Sequence, residues 1–171
     1  MMPSLFPRAA EFTVPGDRLE LTPAGSWIFR LPRDLRTLND TLGSHWSHQQ
    51  NVRSRWELEL TGAIAAFKAL RDLDGWPAPA YRAFLALRGQ RERRRVGVVR
   101  YVPSSRNFIR DDDNLAACGK HLQDAMKRVR LIHDDSRTWL ERVPTEQCLS
   151  PDGCFYTVVT LDRPDVRKAW R

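Results

Sequence analysis

Apolar residues recur along the chain with two different spacings, one typical of strands and one typical of helices. In SWIFRLP, residues 26–32, apolar and polar positions alternate, which predicts a β-strand. From about Gln49 to Leu73 the apolar residues recur every three or four positions, which predicts a long amphipathic helix. The following run, DGWPAPA, contains the glycine and prolines that end such a helix. The first half of the chain is therefore expected to place one long helix after one strand.

The second half of the chain predicts two hairpins separated by a second helix. YRAFLALRG and RVGVVRYVP are strand-like runs, and the arginine-rich segment between them fits a hairpin turn. Helical spacing returns from about Asp113 to Arg128. TWLERVPTE and CFYTVVTLD then predict a closing hairpin through the turn-rich CLSPDG. The order β-α-β-β-α-β-β predicts a mixed α/β or α+β domain, in which two main helices pack on one mixed sheet of about five strands.

Length and composition fit one folded domain. A chain of 171 residues with 42% hydrophobic residues is long enough to bury a core. We expect a loose, proline-interrupted leader over residues 1–17, the folded domain over 18–163, and a short tail or helix over 164–171. No run approaches the roughly 18 apolar residues that a membrane span needs. The cysteines have no metal-ligand spacing, so we expect reduced thiols in a cytoplasmic protein. They are Cys118, Cys148 and Cys154.

Positive charge is concentrated in arginine. The formal net charge is +7, and residues 88–110 carry eight arginines against one acid, Glu92. The planar guanidinium grips a phosphate through two parallel hydrogen bonds, which lysine cannot do. A solvated hairpin tip is the alternative for Arg91 to Arg95. Because the same segment leads directly into a cluster of acids, we favour a nucleic acid as the partner. The expected DNA-contacting residues are Arg93, Arg94, Arg95, Arg106 and Arg110.

The acids that follow stand on a predicted helix face. The stretch FIRDDDNLAACGKHLQDA contains three consecutive aspartates, which repel one another at neutral pH. At 100° per residue, Asp113, Lys120 and Asp124 fall within about 20° of one line along the helix. The apolar positions form a separate stripe, which should pack on the sheet. These positions are Leu115, Cys118, Leu122, Met126 and Val129. The polar line is therefore expected to face outward or into a cleft.

Each acid also has a purely structural explanation. Asp111 or Asp112 would cap the helix start and favour its dipole. Lys120 and Asp124 would form an ordinary pair four residues apart on a helix surface. The later HDD sequence, residues 133–135, would be a turn.

Together the acids predict a metal-dependent phosphodiesterase. Mg²⁺ or Mn²⁺ prefers hard oxygen ligands, usually a few carboxylates with open positions for water and phosphate. Asp111 and Asp113, one residue apart, would share one ion, and Asp135 would complete the set from the loop after the helix. The ion would relieve the repulsion among the carboxylates. Lys120 would offset charge in the transition state or orient the attacking water.

This constellation resembles the RusA family of Holliday-junction resolvases, which are small endonucleases of phages and prophages. The shared pattern has three parts: RDDDNL, then a lysine and an aspartate four residues apart, then DDS. In this chain its residues are Arg110, Asp111, Asp113, Asn114, Leu115, Lys120, Asp124, Asp134 and Asp135. In the family pattern the lysine lies three residues after the asparagine, where this chain has Ala117; Lys120 lies six residues after it. The resemblance covers about residues 26–162, and its specific part is 110–136.

The resemblance implies both roles and substrates. Asp111, Asp113 and Asp135 would bind Mg²⁺ (or Mn²⁺), Lys120 would be the catalytic lysine, and the supporting residues would be Asp134, Asp124 and Asn114. It implies a small α/β domain that acts as a homodimer on four-way DNA junctions, in recombination and repair within a bacterial host cell. A nuclease for flap or other branched DNA and a non-catalytic branched-DNA-binding protein stay open. A phosphate- or RNA-binding module also stays open, although an aromatic-rich RNA signature is missing.

Overall fold

The computed structural model describes residues 19–21, 26–35, 46–70 and 88–163, and the account below is limited to them. The strands are β1 (Leu19–Leu21), β2 (Trp27–Leu31), β3 (Arg94–Val102), β4 (Leu140–Arg142), β5 (Glu146–Leu149) and β6 (Tyr156–Asp162). The helices are α1 (Trp46–Leu70), α2 (Asp112–Cys118) and α3 (Lys120–Arg128), and Ser105–Asn107 forms one 3₁₀ turn. The predicted leader, the predicted tail and the strand over residues 81–87 lie outside the described residues.

One mixed sheet organises the fold. Its strand order is β1-β2-β6-β3-β4, and β5 also pairs with β3. Strands β4 and β5 run parallel to β3 along the same edge, β4 beside its first residues and β5 beside its last. All the other pairings are antiparallel. The sheet is therefore five strands wide, and the predicted mixed sheet with helices packed on it, a small α+β domain, is confirmed.

The closing hairpin is the prediction that the structure corrects. Neither β4, which lies in the predicted first strand TWLERVPTE, nor β5 pairs with β6, because β3 lies between them. The segment CLSPDG instead carries the chain across the end of β3, where the Ser150 amide donates to the Val102 carbonyl at 2.8 Å. Six of the seven residues of β6 are buried, whereas the residues of β5 are half-buried or exposed. The more apolar strand therefore occupies the centre of the sheet, and β5 stays beside β3.

Both faces of the central strands are apolar, as expected for strands covered on two sides. The first face packs against the helices in a core that includes Phe29, Leu60, Leu122 and Leu161, each fully buried. Alternate residues of the same strands form a second cluster on the opposite face. Its members are Ile28, Val99, Tyr101, Tyr156 and Val158.

The predicted helices are present with small changes. α1 spans residues 46–70 instead of 49–73 and buries Trp56 and Leu60. The second predicted helix is divided at Gly119. Cys118, Leu122, Met126 and Val129 of its predicted apolar stripe are buried in the core that the helices share with the sheet, and Leu115 is half-buried against that core. Among the described segments, none of the helices is both long enough and apolar enough to cross a bilayer.

Cys118, Cys148 and Cys154, which all lie in the described part of the chain, form no disulfide with one another. Cys118 is buried and donates to the Leu115 carbonyl at 2.9 Å. Burial raises the pKa of the Cys118 thiol to about 11, so this thiol stays protonated at neutral pH and acts as a small core residue.

Candidate active site

The segment that leads into the aspartates is anchored by a buried arginine. Arg100, on β3, donates to both carboxylate oxygens of Asp34, at 2.6 and 3.0 Å, and to the Asn107 carbonyl at 2.7 Å. It also donates to the side chain of Gln147 on β5 at 3.1 Å. Gln147 in turn makes two hydrogen bonds of 2.9 Å with the backbone of Ile109. The sheet therefore fixes the backbone immediately before the acidic cluster.

Asp111 is the N-cap of α2. Its Oδ1 accepts from the Asp113 amide at 2.9 Å and from the Asn114 amide at 3.3 Å. Its Oδ2 accepts from the side-chain amide of Asn114 at 2.9 Å. Asp112 and Asp113 lie exposed in the first turn, where negative charge favours the helix dipole. The capping role that the sequence allowed for Asp111 is thus confirmed, and Asn114 helps to hold its carboxylate.

The helix carrying the predicted polar line is divided between Asp113 and Lys120. α2 ends at Cys118, and α3 begins at Lys120 after Gly119. Lys120 therefore stands in the first turn of a new helix, four residues before Asp124. Their predicted contact is present, with Lys120 Nζ 3.3 Å from Asp124 Oδ1.

The loop after α3 turns its two aspartates towards that helix. Lys120 Nζ donates to Asp135 Oδ2. Lys127 Nζ donates to Asp134 Oδ1 at 2.9 Å and lies 3.4 Å from Asp135 Oδ1. The Arg142 guanidinium, on β4, donates to the Asp135 carbonyl at 3.0 Å and lies 3.9 Å from its carboxylate. The structure thus joins the predicted helix residues and the predicted loop residues in one network.

Helix α1 also contacts this network. Arg53, on α1, donates to Asp124 Oδ2 at 3.2 Å, so Asp124 holds Arg53 and Lys120 at once. One turn further along the helix pair, Arg128 donates to Glu57 at 3.0 Å. These two ion pairs connect α3 to α1, and the first of them includes Asp124, a partner of Lys120.

The pKa shifts in the network all favour the charged forms. The hydrogen bond from Lys120 lowers the pKa of Asp135 well below its usual range, against a smaller effect of burial. The bond from Lys127 likewise lowers the pKa of Asp134. Hydrogen bonds to the aspartates raise the pKa of Lys120 and of Lys127. Lys120 is therefore an ammonium ion at neutral pH, able to offset negative charge and unable to accept a proton.

The carboxylates match Mg²⁺ or Mn²⁺ by the chemistry of their donor atoms, because every candidate ligand is a hard oxygen. In the part of the chain that the structure describes, no three histidine, cysteine, aspartate or glutamate residues lie close enough to hold one ion. Asp135 lies among cations of α3 and β4, whereas Asp111 caps α2. The structure therefore brings Lys120, Asp124 and Asp135 together, and leaves Asp111 and Asp113 on the adjoining helix segment.

The predicted DNA-contacting arginines separate into two groups. Arg93, Arg106 and Arg110 are exposed. Arg94 is only 1% exposed and pairs with Glu92 at 3.1 Å, and burial lowers the pKa of its guanidinium. Arg95 is half-buried and lies 3.7 Å from Glu141. We therefore leave Arg94 out of any phosphate-contacting surface.

Three cations of the network were missed by sequence reasoning. Lys127 lies seven residues after Lys120, which at 100° per residue returns to the same helix face, so the spacing would have identified it. Arg53 and Arg142 reach the network from other elements, and their local sequence gives no comparable indication.

Comparison of the chain with known protein families returned no matching family model, and comparison with curated proteins returned no matching sequence.

Proposed function

We propose that the protein is a Mg²⁺-dependent endodeoxyribonuclease that acts on branched DNA and resolves four-way junctions as a homodimer. One observation carries the proposal. Lys120, from the start of α3, and Asp135, from the loop after it, meet in one contact network, and the acidic start of α2 precedes that network directly in the chain. These are the positions that the RusA-like spacing pairs as catalytic lysine and metal-binding acid.

Each of these residues would have its own role in phosphodiester hydrolysis. By the RusA-like pattern, Asp111, Asp113 and Asp135 would hold Mg²⁺, which would supply polarisation of the scissile phosphate and a bound water of lowered pKa. In the described structure these three carboxylates do not lie close enough together to share one ion. Lys120, kept protonated by its acidic neighbours, offsets the charge that develops on the phosphoryl oxygens. Asp124 holds the Lys120 ammonium, and Arg53 in turn holds Asp124.

Positive charge on the surface supports a polyanionic substrate. Arg93, Arg106 and Arg110 are exposed on the segment that runs into the acidic cluster. The arginines would hold the phosphate backbone while the acids hold the metal, which explains both charge clusters together. A symmetric dimer would present two such sites to the two strands that a four-way junction requires to be cut.

The first test is cleavage of a labelled four-way junction, with linear duplex and flap DNA alongside, in Mg²⁺ and in EDTA. We expect paired nicks near the branch point in Mg²⁺ only. Preferential cutting of the flap would assign the other branched substrates instead. Junction binding without cutting, in Mn²⁺ as well as Mg²⁺, would favour the non-catalytic DNA-binding protein.

Adjacent aspartates provide matched variants for this test. We expect Asp111→Asn and Asp113→Asn each to reduce cleavage at least 100-fold, the order of loss expected when transition-state charge stabilisation is removed. Junction binding should remain. Asparagine is as good an N-cap as aspartate, so Asp111→Asn should not unfold α2. Asp112→Asn makes the same charge change between them and should stay within a fewfold of wild type. Equal loss in all three variants would contradict the assignment of ligands.

A further inference from the structure

The segment before β3 is held by hydrogen bonds to two other parts of the chain. Arg88 Nε donates to the Val129 carbonyl at 2.8 Å, and the Gly89 amide donates to the Arg130 carbonyl at 2.9 Å. The first residue of β3 donates its amide to the carbonyl of Trp139, in the turn before β4, at 2.8 Å. Three segments that are distant in the sequence therefore meet beside the start of β3.

Each of these three segments carries exposed arginine. The residues are Arg91 and Arg93 before β3, Arg130 after α3 and Arg137 in the turn before β4. We call these four residues the arginine surface. In the described part of the chain, none of the four forms an ion pair with an acid. Glu92, which lies between two of them in the sequence, pairs with Arg94 at 3.1 Å and lies 3.6 Å from Arg163. The charge of the arginine surface is therefore available to an anionic partner.

Arg130 has a backbone conformation that favours glycine. Among the described residues it is the only one other than glycine with a positive φ, at 62°. The Arg130 amide donates to the Lys127 carbonyl at 3.1 Å and the Leu131 amide to the Met126 carbonyl at 2.9 Å, which is the bond pattern of a Schellman helix end. Glycine would end α3 in this way without the steric cost of a β-carbon. Helix termination therefore does not explain an arginine here, whereas a task for its exposed guanidinium does.

Exposed arginines on three segments fit an extended polyanion better than a single small anion. The phosphates of a nucleic-acid backbone recur along the strand, and each accepts a forked pair of hydrogen bonds from a guanidinium. Arg106 and Arg110 precede α2, whereas Arg130 follows α3. Exposed arginine therefore stands at both ends of the α2–α3 segment, which carries Lys120 between them.

We propose that the arginine surface binds the phosphate backbone of a DNA arm, so that the protein holds its substrate at both ends of the α2–α3 segment. The inference rests on the proposed function for its ligand, DNA, and requires no metal ion. It adds Arg91, Arg130 and Arg137 to the predicted DNA contacts.

The test is binding of a labelled four-way junction and of a linear duplex by the full-length protein in EDTA, measured by fluorescence anisotropy between 50 and 200 mM salt. Each lost phosphate contact should lower the slope of log K against log salt concentration by about 0.9, which reduces the loss of affinity over this range about three- to fourfold. We expect this change for Arg91→Gln, Arg130→Gln and Arg137→Gln on both DNAs, because a junction arm has the backbone of a linear duplex. Arg128→Gln is the matched control and should keep the wild-type slope, since its guanidinium pairs with Glu57 at 3.0 Å.

Two further variants separate binding from structure at Arg130. Arg130→Gly removes the guanidinium and suits the positive φ, so it should raise the urea midpoint of unfolding and still lower the salt slope as much as Arg130→Gln does. Arg130→Lys keeps the charge and should keep most of the slope. A wild-type slope in Arg130→Gly would show that Arg130 has no contact with DNA.

The outcomes also distinguish this inference from the nuclease. If the three arginine variants have the slope of Arg128→Gln while the wild-type protein cuts the junction in Mg²⁺, the assignment of the arginine surface is wrong and the nuclease stands. If the slopes fall as expected but the wild-type protein cuts none of the DNAs, the arginine surface stands and the nuclease is wrong. Wild-type protein without salt-dependent DNA binding would contradict both.

Discussion

At the scale of single residues, Asp111 has two tasks for the same carboxylate. Its oxygens accept three hydrogen bonds from the start of α2, and the proposed mechanism also requires these oxygens to bind a metal ion. The tasks are compatible, since the two oxygens of an ionised carboxylate offer about four acceptor positions. Capping also fixes the orientation of the side chain before a ligand arrives. Capping of α2 and binding of a metal ion are therefore compatible roles for Asp111.

Asp135 allows a pH test at the same scale. Its pKa is lowered on folding, so its charged contacts stabilise the fold above the unfolded pKa of about 4 and are lost as the pH falls through the folded pKa. We expect Asp135→Asn to lower the free energy of unfolding by about 1 kcal/mol at pH 7 in EDTA. The deficit should shrink as the pH falls below about 4. Urea unfolding across this range measures it, and a constant deficit would contradict a charge-based contribution.

At the scale of elements, the division at Gly119 determines that Lys120 stands in the first turn of α3. Gly119 has helical backbone angles, φ −75° and ψ −6°, although the regular helix is interrupted there. The interruption leaves Lys120 with Asp124 on α3 and Asp113 on α2. The division between the helices therefore separates two of the predicted metal ligands from the lysine.

Two glycines give a matched pair for stability. A Cβ at Gly119 would make only an ordinary contact, 3.7 Å from the Gln123 side chain, in a helical conformation. Gly119→Ala should therefore raise the free energy of unfolding by about 0.5–1 kcal/mol. Gly153 has open space around it and φ +70°, so Gly153→Ala should lower that free energy by about 1 kcal/mol. Chemical denaturation measures both, and a destabilised Gly119→Ala would show that the interruption requires glycine.

At the scale of the whole molecule, the excess positive charge is the property most relevant to a DNA partner. The chain carries a net charge of +7, yet several arginines are used internally. Arg94 is buried and pairs with the partly exposed Glu92, and Arg100 pairs with Asp34. Counting arginines in the sequence therefore overestimates the number available to phosphates.

Salt dependence tests which arginines contact DNA. Each phosphate contact contributes about 0.9 to the slope of log K against log salt concentration on B-form DNA. We expect Arg93→Gln, Arg106→Gln and Arg110→Gln each to reduce the slope of junction binding by about one. Arg128→Gln, with its guanidinium paired to Glu57, should leave the slope nearly unchanged. Fluorescence anisotropy over a salt series provides the slopes, and unchanged slopes in all four variants would remove these arginines from the DNA surface.

The sequence by itself determined the features that depend on near neighbours in the chain. The predicted strand over residues 26–32 and the predicted long helix are both present as β2 and α1, because strands and helices favour different local patterns of apolar residues. β2 is buried on both faces, which its local pattern did not predict. The pairing of Lys120 with Asp124 followed for the same reason, since residues four apart on a helix are neighbours.

Only the tertiary structure decided what depends on distant segments. The placement of β6 between β2 and β3 reflects which strand is apolar enough for the centre of the sheet, and a hairpin was the wrong expectation from local turn residues. Burial of Arg94 likewise follows from the elements around it. Arg53 and Arg142 reach the acids from α1 and β4, across sequence separations that carry no periodic pattern. Contacts between distant segments arise from packing of the whole chain, and local sequence does not encode them.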